Sequence, residues 1–503
     1  MSRLIRWLRQ IAKFQYMTYP YRIFSAVLIM MMALSFEVHA QIKPLYTYQE
    51  LSHIIYLKQK DSLKKAWVCP SVYKTKETQK KYKELFDDRT AFITQAITDD
   101  DFVQDQDVYP YLDAILTQLI KSNAQLVPVR PLLLLDRSAS VNAYSIGGNV
   151  VAIDLGLVAF CRNREEIALT LAHELSHNIL NHRETAIRQY AEYVTSDEYK
   201  KAINAVLDSK YGRLTNLRKI MEGSSFSRSR HQRFKESEAD SLAVVLLKKS
   251  NIAFDPNFFL RMDSSDILYR TTLNRPIKEY FSAYQLPFED SWAQRRSKGL
   301  STRNYNFRDT SSMDDSLKTH PDCEVRFERT RGAAVAGARM TPIPPNIRTK
   351  ANKMLLWSMY QNQVLTPCLY RVLMEKDKGN TDPWYDFMLN NVFSGLFYAD
   401  RELHRFASIG VVPKEYISKN YYELQTMLEQ MPRESLEQYC RTLQNGAFWK
   451  DMTPAEKALR SFMYTLTFDP DDTDRNKAKA AKEFISNYSA SMYCEYAGIF
   501  EKK

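Results

Sequence analysis

Residues 171–182 read LAHELSHNILNH and contain His173, Glu174 and His177 in the order H-E-x-x-H. On a helix, positions four apart lie on one face, so both histidines can offer imidazole nitrogens to one metal ion. Glu174 can then reach a water at the metal as a general base. Apolar residues around the motif predict a helix buried enough to shield such an ion. The pattern indicates metal-assisted hydrolysis, and a chance grouping of the three residues is the alternative.

A catalytic zinc needs a third protein ligand, which known sites supply in two ways. In one pattern a glycine and a third histidine follow the motif. Here Leu180 stands at the glycine position and Arg183 at the histidine position, with His182 one place early. The other pattern takes a glutamate from a separate helix, and the segment ESEAD provides Glu236 and Asp240 four residues apart. We therefore expect Glu236 to bind the metal and Asp240 to accept the free N–H of a ligand histidine.

Two further segments accompany these motifs, NAYSIGGNVVAIDLGLV at 142–158 and THPDCEVR at 319–326. Together the four motifs resemble zinc metallopeptidases of the HtpX and CAAX-prenyl-protease type, and among them the soluble, BepA-like envelope members. The resemblance implies a gluzincin that hydrolyses peptide bonds, with Zn²⁺ held by His173, His177 and Glu236.

The same resemblance assigns a substrate strand. It implies that residues 148–153 form a sheet edge on which an extended polypeptide adds as a further strand, with Asn142, Gly148, Val150 and Ala152 as candidate contacts. An ordinary paired hairpin is the alternative.

Two more roles follow from the resemblance. His320 is implied to be a fourth ligand or gate at the metal, and Arg326 a cation near the reacting carbonyl. For His320, an exposed loop histidine is the alternative.

The patterns of the whole chain predict an α+β fold. Short apolar runs at 131–136, 141–146 and 149–154 predict strands. Asn163, with Glu166 three residues later, predicts the start of a helix over about 164–190, and a second helix over about 229–248 carries Glu236. The expected architecture is a mainly helical, zincin-like peptidase domain with a small sheet, followed by an all-helical domain.

Residues 1–40 have the features of a secretory signal peptide. Five basic residues precede or flank a 14-residue apolar run at 23–36, and Val-His-Ala at 38–40 fits a cleavage site. The run is shorter than the ~20 residues that a membrane span requires. We expect an exported, periplasmic protein, and anchoring to the inner membrane by an uncleaved leader is the alternative.

Beyond the leader we predict three regions. Residues 41–128 form a helical segment that packs on the catalytic core, 129–340 form the metallopeptidase core, and 341–503 form a helical C-terminal domain. The proline-rich stretch at 340–345 marks the last boundary.

The net charge and the composition limit the classes of binding partner that we expect. The net charge of +11 falls to +7 without the leader, a mild excess that is not typical of nucleic-acid binding, so we expect no nucleic-acid partner. Basic clusters at 228–235 and 295–303 suit solvated surfaces, with peripheral contact to anionic lipid as the alternative. Six scattered cysteines allow several disulfide pairings and favour none.

Polypeptides are the expected substrates, and the resemblance points to misfolded envelope or outer-membrane proteins in quality control. The alternative function is an envelope chaperone or assembly factor that binds outer-membrane proteins through the C-terminal helices, with latent proteolysis.

Overall fold

A computed structural model describes residues 44–99, 102–262, 267–293, 323–333, 339–469 and 473–501, apart from the side chains of 219–233, 267 and 268. The leader at 1–40, His320 and the basic cluster at 295–303 lie outside the described residues, so what the sequence predicts for them stays a prediction. The chain from Pro44 to Lys503 forms one compact unit.

The described part of the chain is mainly helical around one three-stranded sheet, which confirms the predicted α+β class. The helices before the sheet are Ser52–Leu57, Lys60–Ala66, Lys76–Ala96 and Val108–Ser122. Those after it are Leu155–Phe160, Arg164–Ile179, His182–Thr195, Asp197–Asp208, Arg213–Lys249, Asn257–Met262, Ile267–Arg270, Ile277–Ser282 and Cys323–Thr330. The C-terminal helices are Pro345–Gln361, Leu365–Asp377, Trp384–Arg401, Arg405–Ile409, Lys419–Gln430, Arg433–Gln444, Pro454–Phe468, Asp474–Asn487 and Cys494–Glu501.

The sheet consists of β1 (Leu132–Asp136), β2 (Ala143–Gly147) and β3 (Val150–Asp154), close to the predicted strands. β3 lies in the centre, where it pairs in parallel with β1 and antiparallel with β2. The expectation that 148–153 forms a sheet edge is therefore wrong, because β3 has a neighbour on each side. Among the described strands, β2 is the edge next to the H-E-x-x-H helix.

The helix Arg164–Ile179, called the first site helix below, begins as the sequence predicts. The side chain of Asn163 accepts a hydrogen bond from the Glu166 N–H at 2.9 Å, and the Glu166 carboxylate accepts one from the Arg162 N–H at 2.6 Å. Such reciprocal bonds satisfy amide groups that have no partner within the helix.

The first site helix ends earlier than the predicted residue 190. Asn181 adopts a left-handed conformation with φ of 53°, and a separate helix starts at His182. Asparagine tolerates this conformation and commonly ends helices in this way. The break turns the chain back, so that His182 lies beside the end of the first site helix.

The helix Arg213–Lys249, called the second site helix below, begins well before the predicted residue 229. It packs along the first site helix and carries Glu236 and Asp240 toward it. The predicted metal ligands are thus carried by these two packed helices.

The C-terminal helices share one hydrophobic core with the rest of the unit. Helix Pro345–Gln361 packs against Leu155–Phe160. Upstream of it, the Thr341 carbonyl accepts from the Arg164 N–H, and the Thr341 N–H donates to Glu165, both at 2.8 Å. The segment at the expected boundary, 340–345, is therefore hydrogen-bonded to the start of the first site helix. The division into domains stays a prediction.

Within the described ranges, no helix combines the length and the apolar character needed to cross a bilayer. All six cysteines belong to those ranges and all six are free thiols.

Candidate active site

The side chains of His173, His177 and Glu236 converge between the two site helices. His173 Nε2 lies 3.1 Å from His177 Nε2 and 3.2 Å from Glu236 Oε2, and His177 Nε2 lies 3.5 Å from Glu236 Oε1. His173 and Glu236 are buried and His177 is nearly so. The structure thus brings together the three ligands that the sequence predicts.

These spacings fit a tetrahedrally bound divalent ion. Donor atoms about 2.0–2.1 Å from a zinc ion in tetrahedral arrangement lie about 3.3 Å from one another. One ligand atom from each of the three residues lies within 4.8 Å of the other two, so the cluster is compact enough to hold one ion. Burial and Arg326 lower the pKa of His173, but Asp240 and Glu236 outweigh them and raise that pKa to about 9. The surroundings of His173 therefore favour a positive charge, which a metal ion would supply.

Asp240 orients His173, as the sequence predicts. Its Oδ1 lies 2.8 Å from His173 Nδ1, so Asp240 can accept the Nδ1 proton while Nε2 exchanges its own proton for a metal. Burial raises the pKa of Asp240, but Arg326 and His173 outweigh it and lower that pKa to about 2. Asp240 is thus a carboxylate throughout the neutral range.

Arg326 does not occupy the position expected for it beside the reacting carbonyl. Its guanidinium donates twice to Asp240, at 2.9 and 2.6 Å, and stacks 4.3 Å from the ring centroid of Phe259. It faces the Nδ1 edge of His173, away from the Nε2 edge where the ligands meet. Arg326 is therefore a positioning residue, which fixes Asp240 and through it His173.

His182 plays a similar part for His177, which the sequence analysis did not anticipate. The two Nδ1 atoms lie 2.9 Å apart, and His182 Nε2 lies 3.4 Å from the Glu238 carboxylate. Burial and His177 lower the pKa of His182 to about 4, so its ring is neutral and its Nδ1 can accept the His177 proton. That bond would leave His177 Nε2 free to bind a metal. Asn181, two residues after the last apolar residue of the helix, is the sequence signal for this return of the chain.

Replacing His182 with phenylalanine should lower the affinity for zinc about 10- to 100-fold, because loss of a partner to a ligand histidine usually has an effect of that size. Competition with a zinc-binding dye would measure it. His404, an exposed histidine just before helix Arg405–Ile409, provides a control as His404→Phe. Equal affinities in His182→Phe and the parent would remove His182 from the site.

Glu174 is buried on the first site helix, directly after the first ligand. This position next to the ligand set is the one that a general base for an attacking water requires. The helix thus carries two candidate ligands and a buried carboxylate within five consecutive residues, 173–177.

The predicted substrate contacts are distributed differently from expectation. Val150 and Ala152 lie on central β3 and are fully buried. The Gly148 carbonyl accepts from Trp67 at 3.0 Å and its N–H donates to Glu184 at 3.2 Å, so both of its backbone groups are occupied. These three residues are not placed to pair with a substrate.

Asn142 lies immediately before β2 and is partly exposed. Next to it, β2 is tied to the first site helix, because Ser145 Oγ donates to Asn178 Oδ1 at 2.5 Å. The Asn178 side chain also donates to the Val150 carbonyl at 3.4 Å. The edge strand is therefore held beside the residue that follows the second metal ligand.

A buried two-histidine, one-carboxylate cluster with a glutamate next to its first histidine, on two packed helices beside a small sheet, is the arrangement typical of a metallopeptidase site. Residues 108–334 match the model of peptidase family M48, a little under half of the chain. That range contains both site helices and the three-stranded sheet.

A curated relative from Vibrio cholerae, named "Putative beta-barrel assembly-enhancing protease", is 24% identical over 165 residues. The similarity covers 32% of this chain and 34% of that protein, so the chain spans about a third of the length of the relative it matches.

Proposed function

We propose that this protein is a zinc-dependent endopeptidase of the gluzincin class. The observation that carries the proposal is the convergence of His173, His177 and Glu236 at distances of 3.1–3.5 Å, with Glu174 beside them. The M48 match supports it independently.

In the proposed reaction the zinc ion and the side chains of the protein have different roles. When bound, zinc supplies a Lewis acid that polarises the peptide carbonyl and makes water acidic. Glu174 takes a proton from the attacking water and passes it to the leaving amine. Asp240 and His182 hold the two ligand rings in the required tautomers, and burial of the site limits competition from bulk water.

Substrate binding is proposed at the free edge of β2. An extended polypeptide that adds there as a strand would align its backbone without a requirement for a particular sequence. The tie between Ser145 and Asn178 keeps that edge in register with the first site helix. Asn142 keeps its proposed role at the start of this edge.

Removal of the metal tests the proposal. Treatment with 1,10-phenanthroline should abolish cleavage of an unfolded protein such as casein, and one equivalent of Zn²⁺ should restore it. The phenanthroline isomer that does not chelate serves as the control. Cleavage that continues in the metal-free protein would exclude a zinc mechanism.

We further propose that the protein is exported and acts on misfolded envelope proteins, including those of the outer membrane. The basic and apolar pattern of residues 1–40 and the name of the Vibrio cholerae relative support this proposal. N-terminal sequencing of the mature protein from its native host should find Gln41 first. Recovery of the mature chain from the cytoplasm with its leader intact would contradict export.

A further inference from the structure

A cavity of about 410 Å³ lies where the peptidase region meets the C-terminal helices. Its walls come from helix Leu155–Phe160, from helix Pro345–Gln361 and from helix Leu365–Asp377 with the residue after it. The volume is within the range of cavities that hold small organic ligands. None of the metal ligands lines it, so the cavity is separate from the candidate active site.

Arg371 lines this cavity, and no described residue forms a hydrogen bond or an ion pair with its side chain. Its Nε atom is buried, and no hydrogen-bond acceptor reaches it among the described residues. Arg371 also forms no ion pair with any described residue. The neighbouring Lys376, by contrast, pairs with Asp386 at 2.6 Å. Burial lowers the pKa of Arg371, although Tyr269, Cys368 and Glu375 act in the opposite direction. A partly buried guanidinium that pairs with no carboxylate among the described residues is a candidate binding group for an anion in the cavity that it lines.

The other charged groups of the cavity leave a positive excess. Glu375, the one carboxylate in its described lining, is already bound by Asn352 at 3.1 Å and by Lys378 at 2.7 Å. Arg348 lines the cavity from helix Pro345–Gln361 and donates to the Arg162 carbonyl at 3.0 Å, which does not neutralise its charge. Lys378 also lines the cavity and forms an ion pair with Glu375, which leaves the charges of Arg348 and Arg371 as the excess in the described lining.

The rest of the lining combines polar side chains, from Thr349, Asn352 and Tyr385, with apolar ones. Val141, Ala159, Phe160 and Met374 contribute side chains without polar hydrogens. A bare inorganic anion would leave this apolar wall without contacts. An anion carried on an apolar body would satisfy both parts of the lining.

We propose that this cavity binds a small organic anion, with a carboxylate or phosphate group at Arg371 and Arg348 and an apolar body against Phe160 and Met374. The guanidinium of Arg371 offers paired donors in the geometry that such an oxyanion accepts. The ligand would contact the peptidase region through Phe160 and the C-terminal helices through Arg371, Arg348 and Met374. It would therefore join the two regions.

The test uses calorimetric titration of the full chain with three probes. Octanoate combines a carboxylate with an apolar chain, 1-octanol has the chain without the charge, and inorganic phosphate has the charge without the chain. Octanoate should bind with one equivalent, at least tenfold more tightly than either of the other two. Equal binding of octanol would overturn the role of the arginines, and equal binding of phosphate would overturn the apolar half of the site.

The variants locate the binding. Arg371→Met should weaken octanoate at least tenfold, and the thermal midpoint without ligand should rise, because the variant removes an uncompensated charge. Arg371→Lys keeps a charge and should bind octanoate with intermediate affinity. Lys419→Met, at a highly exposed lysine of the C-terminal helices, is the control and should bind as the parent does.

Octanoate affinity that is unchanged in Arg371→Met would place its binding elsewhere, including at the metal, and would overturn the proposal. A lower thermal midpoint in Arg371→Met, with no octanoate binding to the parent, would show that Arg371 is a structural residue and would also overturn it.

Discussion

Replacing Glu174 with glutamine should lower peptide hydrolysis by about 10²–10⁴-fold while zinc remains bound at one equivalent. Glutamine has nearly the shape of glutamate but cannot take a proton from water, whereas His173, His177 and Glu236 are untouched by the change. Cleavage of casein and metal analysis of the same preparation measure the two quantities together.

A matched control for this variant is Glu198→Gln, which removes an exposed glutamate away from the metal ligands. It should retain the activity of the parent. Hydrolysis by Glu174→Gln at more than a tenth of the parental rate, with normal zinc, would show that Glu174 is not the general base.

The same variant also separates the protease from the chaperone alternative. The C-terminal helices share a core with the peptidase region, so a fragment ending at residue 340 would lose packing partners of the site. The full-length Glu174→Gln protein keeps every surface. An assembly role that depends on binding alone would survive in this variant, whereas a role that depends on cleavage would be lost.

Replacing Arg326 with methionine should lower the free energy of unfolding by about 3–5 kcal/mol, because the buried Asp240 carboxylate would lose both guanidinium bonds. Zinc affinity should fall as well, since Asp240 would no longer be fixed against His173. Urea unfolding of the metal-free protein measures the first effect without the contribution of zinc.

Two further variants serve as controls for Arg326→Met. Arg329→Met, on the same helix but exposed, should change stability by no more than about 0.5 kcal/mol. Asp240→Asn combined with Arg326→Met removes the stranded charge and should recover part of the loss. A cost below about 1 kcal/mol for Arg326→Met alone would mean that Asp240 does not depend on this guanidinium.

The convergence of His173, His177 and Glu236 could be predicted because the sequence information for it is local. The spacing of His173 and His177 depends only on helix geometry, and Glu236 and Asp240 share a second local motif. Asp240 could likewise be predicted as the partner of a ligand histidine, since such partners are a general feature of metal sites. The strands could be predicted from their short apolar runs.

What the sequence could not supply were the relations between distant segments. The order β1–β3–β2 places Val150 and Ala152 in the centre of the sheet, and no single strand sequence contains that order. The direction of Arg326 depends on how its helix packs against Phe259 and the second site helix. His182 was missed because the left-handed turn at Asn181 was read as continuing helix.

The central claim is that two imidazoles and one carboxylate bind a single zinc ion. X-ray absorption at the zinc edge, combined with metal analysis of the purified protein, tests it most directly. We predict one zinc per chain with two histidine nitrogens and oxygen ligands, and loss of that zinc in Glu236→Ala. A wild-type chain that binds no zinc, or a Glu236→Ala variant with an unchanged zinc spectrum, would contradict the account.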